Sequence, residues 1–457
     1  MWYITFYSLE RVFMKYTSFK PIVLSIAISL VSGCGNISVE PIKNSTQLGN
    51  TYQELHQILN TQKPIDEQIS LPSAIARALK YNLEHRAQKA QALLEYGNLE
   101  MAYLAMLPSV DAEVNYSFRN NNYIQNIVND SGQATKGNLA SPRDILNESA
   151  GLQWSLLDFG LSYTRALKQA NTLLISEEQK RRTTQKLIQE VTGAYWKAWA
   201  AQEMSSYVDE IKVKAQKALA RSQQITNSNK SSPQSELVYQ QELIRSIRKV
   251  NRLAIQIHDA KSNLLKLINA KVGQKFSLTE PYDSIRGLPK IIPQFEKMDM
   301  LALVFRPELR EASYESANAK KNIHEAIISM LPVLQFDFGY NHTNNNYIFN
   351  KDWWQGNVNA SWNILKAVTS GPKAINIASH GYSLAKLRQA AVTMTILTQI
   401  RVAFYAYELQ REDYTYSKQE YTVSKGLADY ARNLEQAKSG NEQLTIRRYI
   451  DYLSAQF

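Results

Sequence analysis

The sequence predicts a mixed α+β membrane protein with an internal duplication, in which long antiparallel helices alternate with four strands of a transmembrane β-barrel. Three patterns in its 457 residues lead to this prediction. One helix–strand segment occurs twice, four segments alternate strictly between apolar and polar residues, and two very long segments have helical character. The search for repeats comes first, because an unrecognised repeat changes the interpretation of the whole fold.

The duplicated segment begins at Leu71 and again near Met300. Each copy has a helical run, then a proline (Pro108 or Pro332), then an alternating stretch that ends in several asparagines. This spacing predicts a first repeat over residues 71–270, a proline-containing linker over 271–296 and a second repeat over 297–457.

Four strands are predicted at about 109–119, 149–157, 333–342 and 357–364. Successive side chains of a strand point to opposite faces, so each segment has one apolar and one polar face. No further strands are predicted that could cover the apolar faces, and four strands cannot close a barrel, so several chains must contribute. In such a barrel the lipid-facing side chains would include Tyr116, Phe118, Trp154, Phe336, Phe338 and Trp362. The connections, 120–147 and 343–356, are rich in turn residues and are predicted as loops.

The first 33 residues have the pattern of an export signal, and Met14 is a more natural start for it than Met1. Basic residues precede a short apolar run, which ends in small residues before Cys34, the only cysteine of the chain. This run resembles the signal of bacterial lipoproteins, which implies that Cys34 is acylated, with palmitate among the acyl chains. Residues 34–70 are then predicted to be an extended, lipid-anchored segment.

Helices of unusual length occupy much of the remainder. The stretch from about Leu161 to Thr226 lacks proline, and a second one runs from Lys373 to about Ala437. Small and apolar residues repeat in the first at alternating spacings of three and four, which is typical of a coiled coil. This seam consists of Val191, Ala194, Ala198, Ala201, Ser205, Val208, Lys212, Ala215 and Leu219. Turns are predicted at 227–235 and around Gly440, each followed by a returning helix. The helix after Gly440 is only about half the expected length, so the second repeat is predicted to be truncated.

Composition and motifs argue against two other classes of function. The net charge of +11 suits nucleic acid, but an exported chain would not meet it, and no basic stripe is interleaved with aromatic residues. The six histidines have no metal-ligand spacing, and the sequence contains no nucleophile or phosphate-binding motif. We therefore expect no enzyme activity, no cofactor and no nucleic-acid partner.

Taken in order, these features resemble the TolC-like outer-membrane efflux proteins, and in particular their lipoprotein branch. The resemblance rests on the duplicated order of elements, on Cys34, and on the run Trp154-Ser-Leu-Leu-Asp-Phe-Gly160, which is similar to the family's W-x-L-F-D-x-G motif. It implies a homotrimer in which each chain gives four strands to one twelve-stranded barrel, while the helices form a periplasmic tunnel. It also implies an inner-membrane transporter and a periplasmic adaptor protein as partners. Gly35 after the cysteine implies retention at the lipid of the outer membrane rather than the inner membrane.

The resemblance further implies a narrowed periplasmic mouth, ringed by acidic residues just beyond the second turn. In this sequence Gly440 lies at that turn, Ile446 and Tyr449 occupy the positions expected for the acids, and Arg447 and Arg448 lie between them. A basic mouth would disfavour cations. A shift by one helical turn would instead place both arginines on an outer, solvated face.

Three functions remain open at this stage. The chain can be a duct for efflux of small molecules, a duct for type I protein secretion, or a truncated lipoprotein that does not transport. The lining of a duct does not distinguish efflux from protein secretion. The formation of trimers would distinguish both ducts from the truncated lipoprotein.

Overall fold

The computed structural model describes residues 41–457, apart from 122, 129, 228–232, 272, 275, 281–288, 440 and 441. The predictions for the signal at 1–33, for Met14, for Cys34 and for Gly440 lie outside the described residues. The contacts divide the chain into two units. Residues 105–162 and 330–365 belong to a sheet unit, and residues 56–104, 163–329 and 366–457 form a helical unit.

The elements of the first half have the following order: α1 (Asn44–Asn60), β1 (Gln68–Ile69), α2 (Leu71–Tyr81), α3 (Leu83–Leu104), β2 (Ser109–Phe118), β3 (Tyr123–Val128), β4 (Ala134–Ser141), β5 (Asp144–Ser155), α4 (Leu156–Asn227) and α5 (Pro233–Leu267). The second half consists of β6 (Ser277–Leu278), α6 (Phe295–Phe305), α7 (Pro307–Ile328), β7 (Val333–Thr343), β8 (Asp352–Ser361), α8 (Ile364–Gln436) and α9 (Glu442–Gln456).

Several of these elements have similar lengths in the two halves. Helices α2 and α6 have 11 residues each, and α3 and α7 have 22 each. Helices α4 and α8 have 72 and 73 residues. The halves differ in their last helix, because α5 has 35 residues and α9 has 15.

Single residues separate the short helices from those that follow. The backbone N–H of Asn82 donates to Ala78 and closes α2, while its side-chain oxygen accepts a hydrogen bond from the N–H of His85 and begins α3. In the second half Arg306 closes α6 in the same way, and Pro307 opens α7 at a position where its missing N–H costs nothing.

The segments predicted as extended, loop or linker contain additional structure. Residues 44–60 are helical (α1), so the prediction that 34–70 is extended is wrong for this part. The predicted loop at 120–147 contains the β3–β4 hairpin and the first residues of β5. Helix α8 begins at Ile364 and runs through Pro372, although the prediction started it after that proline. A helix can continue through proline at the loss of one backbone hydrogen bond when its other turns are well formed.

The sheet has the strand order β2-β5-β7-β8, and every neighbouring pair is antiparallel. The register pairs even-numbered residues with even-numbered ones throughout, for example Leu152 with Phe338 and Phe336 with Val358. Paired residues lie on the same face of a sheet, so the apolar positions of all four strands share one face.

The core of the helical unit contains two clusters of buried side chains. One cluster lies between α4, α5 and α9, and the other joins α2, β1, α4, α5 and β6. The coiled-coil seam supplies several members, since Val191, Ala194, Ala198 and Ala201 are at most 4% exposed. Within the described residues, no helix contains a segment of sufficient length and hydrophobicity to cross a lipid bilayer.

Candidate functional site

The helix α9 contains four of the predicted mouth residues, Ile446, Arg447, Arg448 and Tyr449, and the structure places them in different surroundings. Ile446 is fully buried, together with Ile450 and Leu453 on the same face of α9. These three side chains pack into the cluster formed with α4 and α5. Ile446 therefore lies on the apolar stripe by which α9 packs against its neighbours, and its place at a periplasmic mouth stays a prediction.

The two arginines lie on the other side of α9. Arg447 is exposed, and Arg448 is half-buried at the edge of a cavity of about 1010 Å³. Charged residues of α4, α5 and α9 line the same cavity, namely Glu203, Lys249 and Asp451. Lys249 and Asp451 form an ion pair of 2.7 Å, and among the described residues neither arginine forms one. Both cations are therefore available to a polar solute or to water.

Tyr449 belongs to a cluster of tyrosines. Its ring lies 5.8 Å from that of Tyr452, which in turn lies 5.6 Å from that of Tyr421 on α8. Burial raises the pKa of Tyr449, and the neighbouring carboxylate of Glu210 adds to this. Burial and a hydrogen bond with Tyr421 raise the pKa of Tyr452 to about 12. Tyr449 and Tyr452 are therefore neutral at physiological pH, and the cluster links α8 to α9.

Ion pairs at the ends of the long helices hold this region together. Arg221 near the end of α4 pairs with Glu442 in the first turn of α9 at 2.5 Å, and Lys214 pairs with Glu435 of α8 at 3.1 Å. Glu442 is also well placed electrostatically, because a carboxylate stabilises the N-terminus of a helix. The described part of the chain contains no group of histidines, cysteines and carboxylates that could hold a metal ion. The arrangement packs α9 against α4 and α5 and presents charged side chains at the surface of α9.

The six residues predicted to face lipid all have even numbers, and five of them lie within the strands on one face of the sheet. Trp362 follows β8 immediately and donates its indole N–H to the carbonyl of Met330. Phe338 is 58% exposed and stacks on Trp354 at 5.4 Å, while Trp154 is half-buried against Phe336 and Phe159. The apolar face is therefore largely exposed in the single chain.

One end of this face carries hydrogen-bonded polar groups. The hydroxyl of Tyr116 donates to Asp144, and that of Tyr340 donates to Asp352, at 3.0 and 2.6 Å. His342 also contacts Asp352, at 2.7 Å. Tyrosines that combine an apolar ring with a paired hydroxyl are typical of a boundary between apolar and aqueous surroundings.

Tyr195 is an important residue that sequence analysis missed. It is fully buried, and its hydroxyl oxygen lies 2.7 Å from the carbonyl oxygen of Ile69 and 2.8 Å from that of Thr279. It thereby joins α4 to both strands of the small parallel sheet formed by β1 and β6. Its place beside Ala194 in the coiled-coil seam indicates burial, but the polar partners lie 126 and 84 residues away in the sequence.

Comparison with known proteins finds similarity at the level of structure. No protein-family profile and no curated protein sequence matches the chain. Solved structures do match. The CmeC outer-membrane channel of Campylobacter jejuni superposes with a TM-score of 0.65 at 14% identity, covering 92% of this chain and 86% of that one. The open-state MtrE outer-membrane channel of Neisseria gonorrhoeae gives 0.63 at 17% identity, with 84% and 85% covered. The outer-membrane protein VceC of Vibrio cholerae gives 0.59 at 11% identity, with 84% and 92% covered.

These matches extend over most of each chain, although few residues are identical. The chain therefore has the fold of the TolC-like outer-membrane channels, as its sequence motifs predict.

Proposed function

We propose that the chain is the outer-membrane exit duct of a tripartite efflux system. In this role it passively conducts small molecules, delivered by an inner-membrane transporter through a periplasmic adaptor protein, to the exterior. The observation that carries the proposal is the four-stranded sheet with an exposed apolar face, attached to a chain with the fold of outer-membrane channels. A sheet of this kind is stable in lipid only when its edges are paired.

A trimer would meet this requirement. Strands β2 and β8 are the edges of the sheet in one chain, and three chains would pair them into a barrel of twelve strands. The similar lengths of helices in the two halves support an internal duplication, which would place the helices evenly around a tunnel. Acylation of Cys34 would add a lipid anchor at the same membrane.

The proposal is tested by extracting the full chain from outer membranes with detergent and measuring its mass by size exclusion with light scattering. An unheated gel then shows whether a trimer withstands SDS, and a planar bilayer shows whether it conducts ions. A heated sample is the control. A conducting trimer is the expected result. Monomers or aggregates would contradict the proposal and would favour a lipoprotein that does not transport.

The transported substrate distinguishes efflux from protein secretion. Deletion of the gene for this protein should raise the sensitivity of the cells to small toxic molecules, and its re-expression should restore resistance. If resistance stayed unchanged while one large protein disappeared from the medium, the chain would serve type I secretion instead.

A further inference from the structure

The contact between α4 and α7 is polar along much of its length. At one end of the contact, Arg165 and Lys168 of α4 form ion pairs with Glu325 of α7, at 2.9 and 3.0 Å. The other pairs are Asn171 with Asn318 at 2.8 Å, Arg310 with Glu178 at 3.1 Å and Arg182 with Glu311 at 3.5 Å. We call this contact the α4–α7 seam. It joins a helix of the first half to a helix of the second.

Glu311 is a member of the seam whose carboxylate is only partly compensated. Its side chain is only 11% exposed, and its Oε1 forms no hydrogen bond in the described structure. The nearest cation is Nη1 of Arg182, at 3.5 Å, and the side chain of that arginine is 46% exposed, so it can turn to water. A buried carboxylate with such incomplete compensation is costly in its charged form.

The surroundings of Glu311 contain further carboxylates as well as cations. Glu308 and Glu315 lie on α7 within two turns of it and repel a negative charge, while Arg182 and a hydrogen bond with Gln179, both on α4, favour it. Across the seam, Glu178 is held between Arg310 and Arg181, at 3.1 and 3.6 Å. The guanidinium of Arg310 therefore forms its ion pair with Glu178 of α4 and not with Glu311, the next residue on α7.

The two ends of the seam respond to protons in opposite ways. At Glu311, burial raises the pKa, and the attraction of Arg182 does not cancel this effect. At Glu325, burial also acts to raise the pKa, but hydrogen bonds from Lys168 and Arg165 outweigh it and leave the value lowered. As the pH falls, Glu311 therefore takes up a proton before Glu325 does.

We propose that Glu311 is a proton-binding site, and that proton uptake there tightens the α4–α7 seam when the surroundings become mildly acidic. An unfolded chain would bind this proton only near its ordinary pKa of about 4.3. Because the folded chain binds it at a higher pH, the stability of the fold increases as the pH falls through the raised pKa, and the penalty of the charged form is complete only above it. This effect of pH on stability does not require that the protein acts as a duct.

The test compares the full wild-type chain in detergent with Glu311→Gln, which imitates the protonated carboxyl. At pH 8 we expect the variant to unfold at a temperature higher by about 2 °C or more, and at pH 5 we expect this difference to shrink towards zero. Other groups titrate equally in both proteins and cancel in the comparison. The control is Glu100→Gln, which removes an exposed carboxylate on α3 of the same helical unit and should leave the unfolding temperature unchanged at both values of pH.

Amide hydrogen exchange gives a second, local readout. Residues 307–318 of the wild type should gain protection from pH 8 to pH 5 beyond the change in intrinsic exchange rate, and Glu311→Gln should already show that protection at pH 8. Equal differences in unfolding temperature at both values of pH would overturn the proposal. So would a less stable variant at pH 8, because the ion pair with Arg182 would then outweigh the cost of burial.

Discussion

At the scale of single residues, Tyr195 shows how one polar atom can organise a helical core. Its hydroxyl lies within hydrogen-bond distance of carbonyl groups on two segments that are far apart in the sequence. Gln202, two turns further along α4, fixes β6 as well, since its amide both donates to and accepts from the backbone of Leu278. These bonds attach short strands that would be unstable alone to the side of a long helix.

We expect Tyr195→Phe to lower the free energy of unfolding by about 1–3 kcal/mol, because it leaves buried carbonyl groups without their donor. Thermal or denaturant unfolding of the detergent-extracted protein measures this loss. Tyr207→Phe is the control, because Tyr207 lies on the same helix and is 47% exposed. Equal effects of the two substitutions would show that the hydroxyl of Tyr195 has no special role.

A pair of glycines permits the close approach of β5 and β7. Gly151 and Gly339 are directly opposite each other, and a Cβ added to Gly339 would lie 3.0 Å from both the Cα of Gly151 and the carbonyl oxygen of Ala150. We expect Gly339→Ala to separate these strands and to reduce the yield of heat-labile trimers on an unheated gel. Gly356→Ala is the matched control, since its Cβ would meet only an ordinary contact of 3.7 Å. Normal trimers from Gly339→Ala would contradict this account.

At the scale of elements, α9 separates packing from charge by its two faces. Its apolar stripe is buried against α4 and α5, whereas its arginines lie outside that stripe. This distribution is what an amphipathic helix requires. The charged side chains at the proposed mouth are therefore not the ones that pack in the core.

The arginines of α9 provide the next prediction, which depends on the proposed duct. If Arg447 and Arg448 face the passage, their replacement by glutamine should shift the ion selectivity in a planar bilayer from anions towards cations. The fold should stay intact, because neither side chain belongs to the buried cluster. Arg248→Gln, which removes an exposed arginine from α5, is the control. A wild-type pore that prefers cations would rule out a basic mouth.

At the scale of the whole molecule, the proposed duct requires that lipid covers the apolar face of the sheet. Phe338→Arg places a charge on this face and should cost about 2–4 kcal/mol if the position lies near the middle of the bilayer. We expect less of this variant in the outer-membrane fraction and fewer trimers. Asn341→Arg is the control on the opposite, polar face of the same strand. An equal decrease of both variants in the outer-membrane fraction would contradict the prediction, because the two faces of the sheet would then have similar surroundings.

The sequence by itself determined the kinds of element and most of their order. Period-two alternation identified the four sheet strands, because a face that meets an apolar medium imposes that pattern on every residue of a strand. Spacings of three and four identified the long helix around Val191 and Ala198. Both patterns arise from residues that are close in the sequence, so the sequence alone is sufficient to detect them. The helix α1 and the β3–β4 hairpin were missed, since α1 and β4 are largely polar and β3 has only six residues, too few for a clear pattern.

Only the tertiary structure decided how distant residues meet. It packed Ile446 into a core formed with α4 and α5. It also brought Glu311 against α4 and placed Tyr195 beside Thr279, across 84 residues. The physical reason is that burial and pairing depend on which helices become neighbours. Local periodicity specifies the face that each helix buries, and the choice of partner depends on packing in three dimensions.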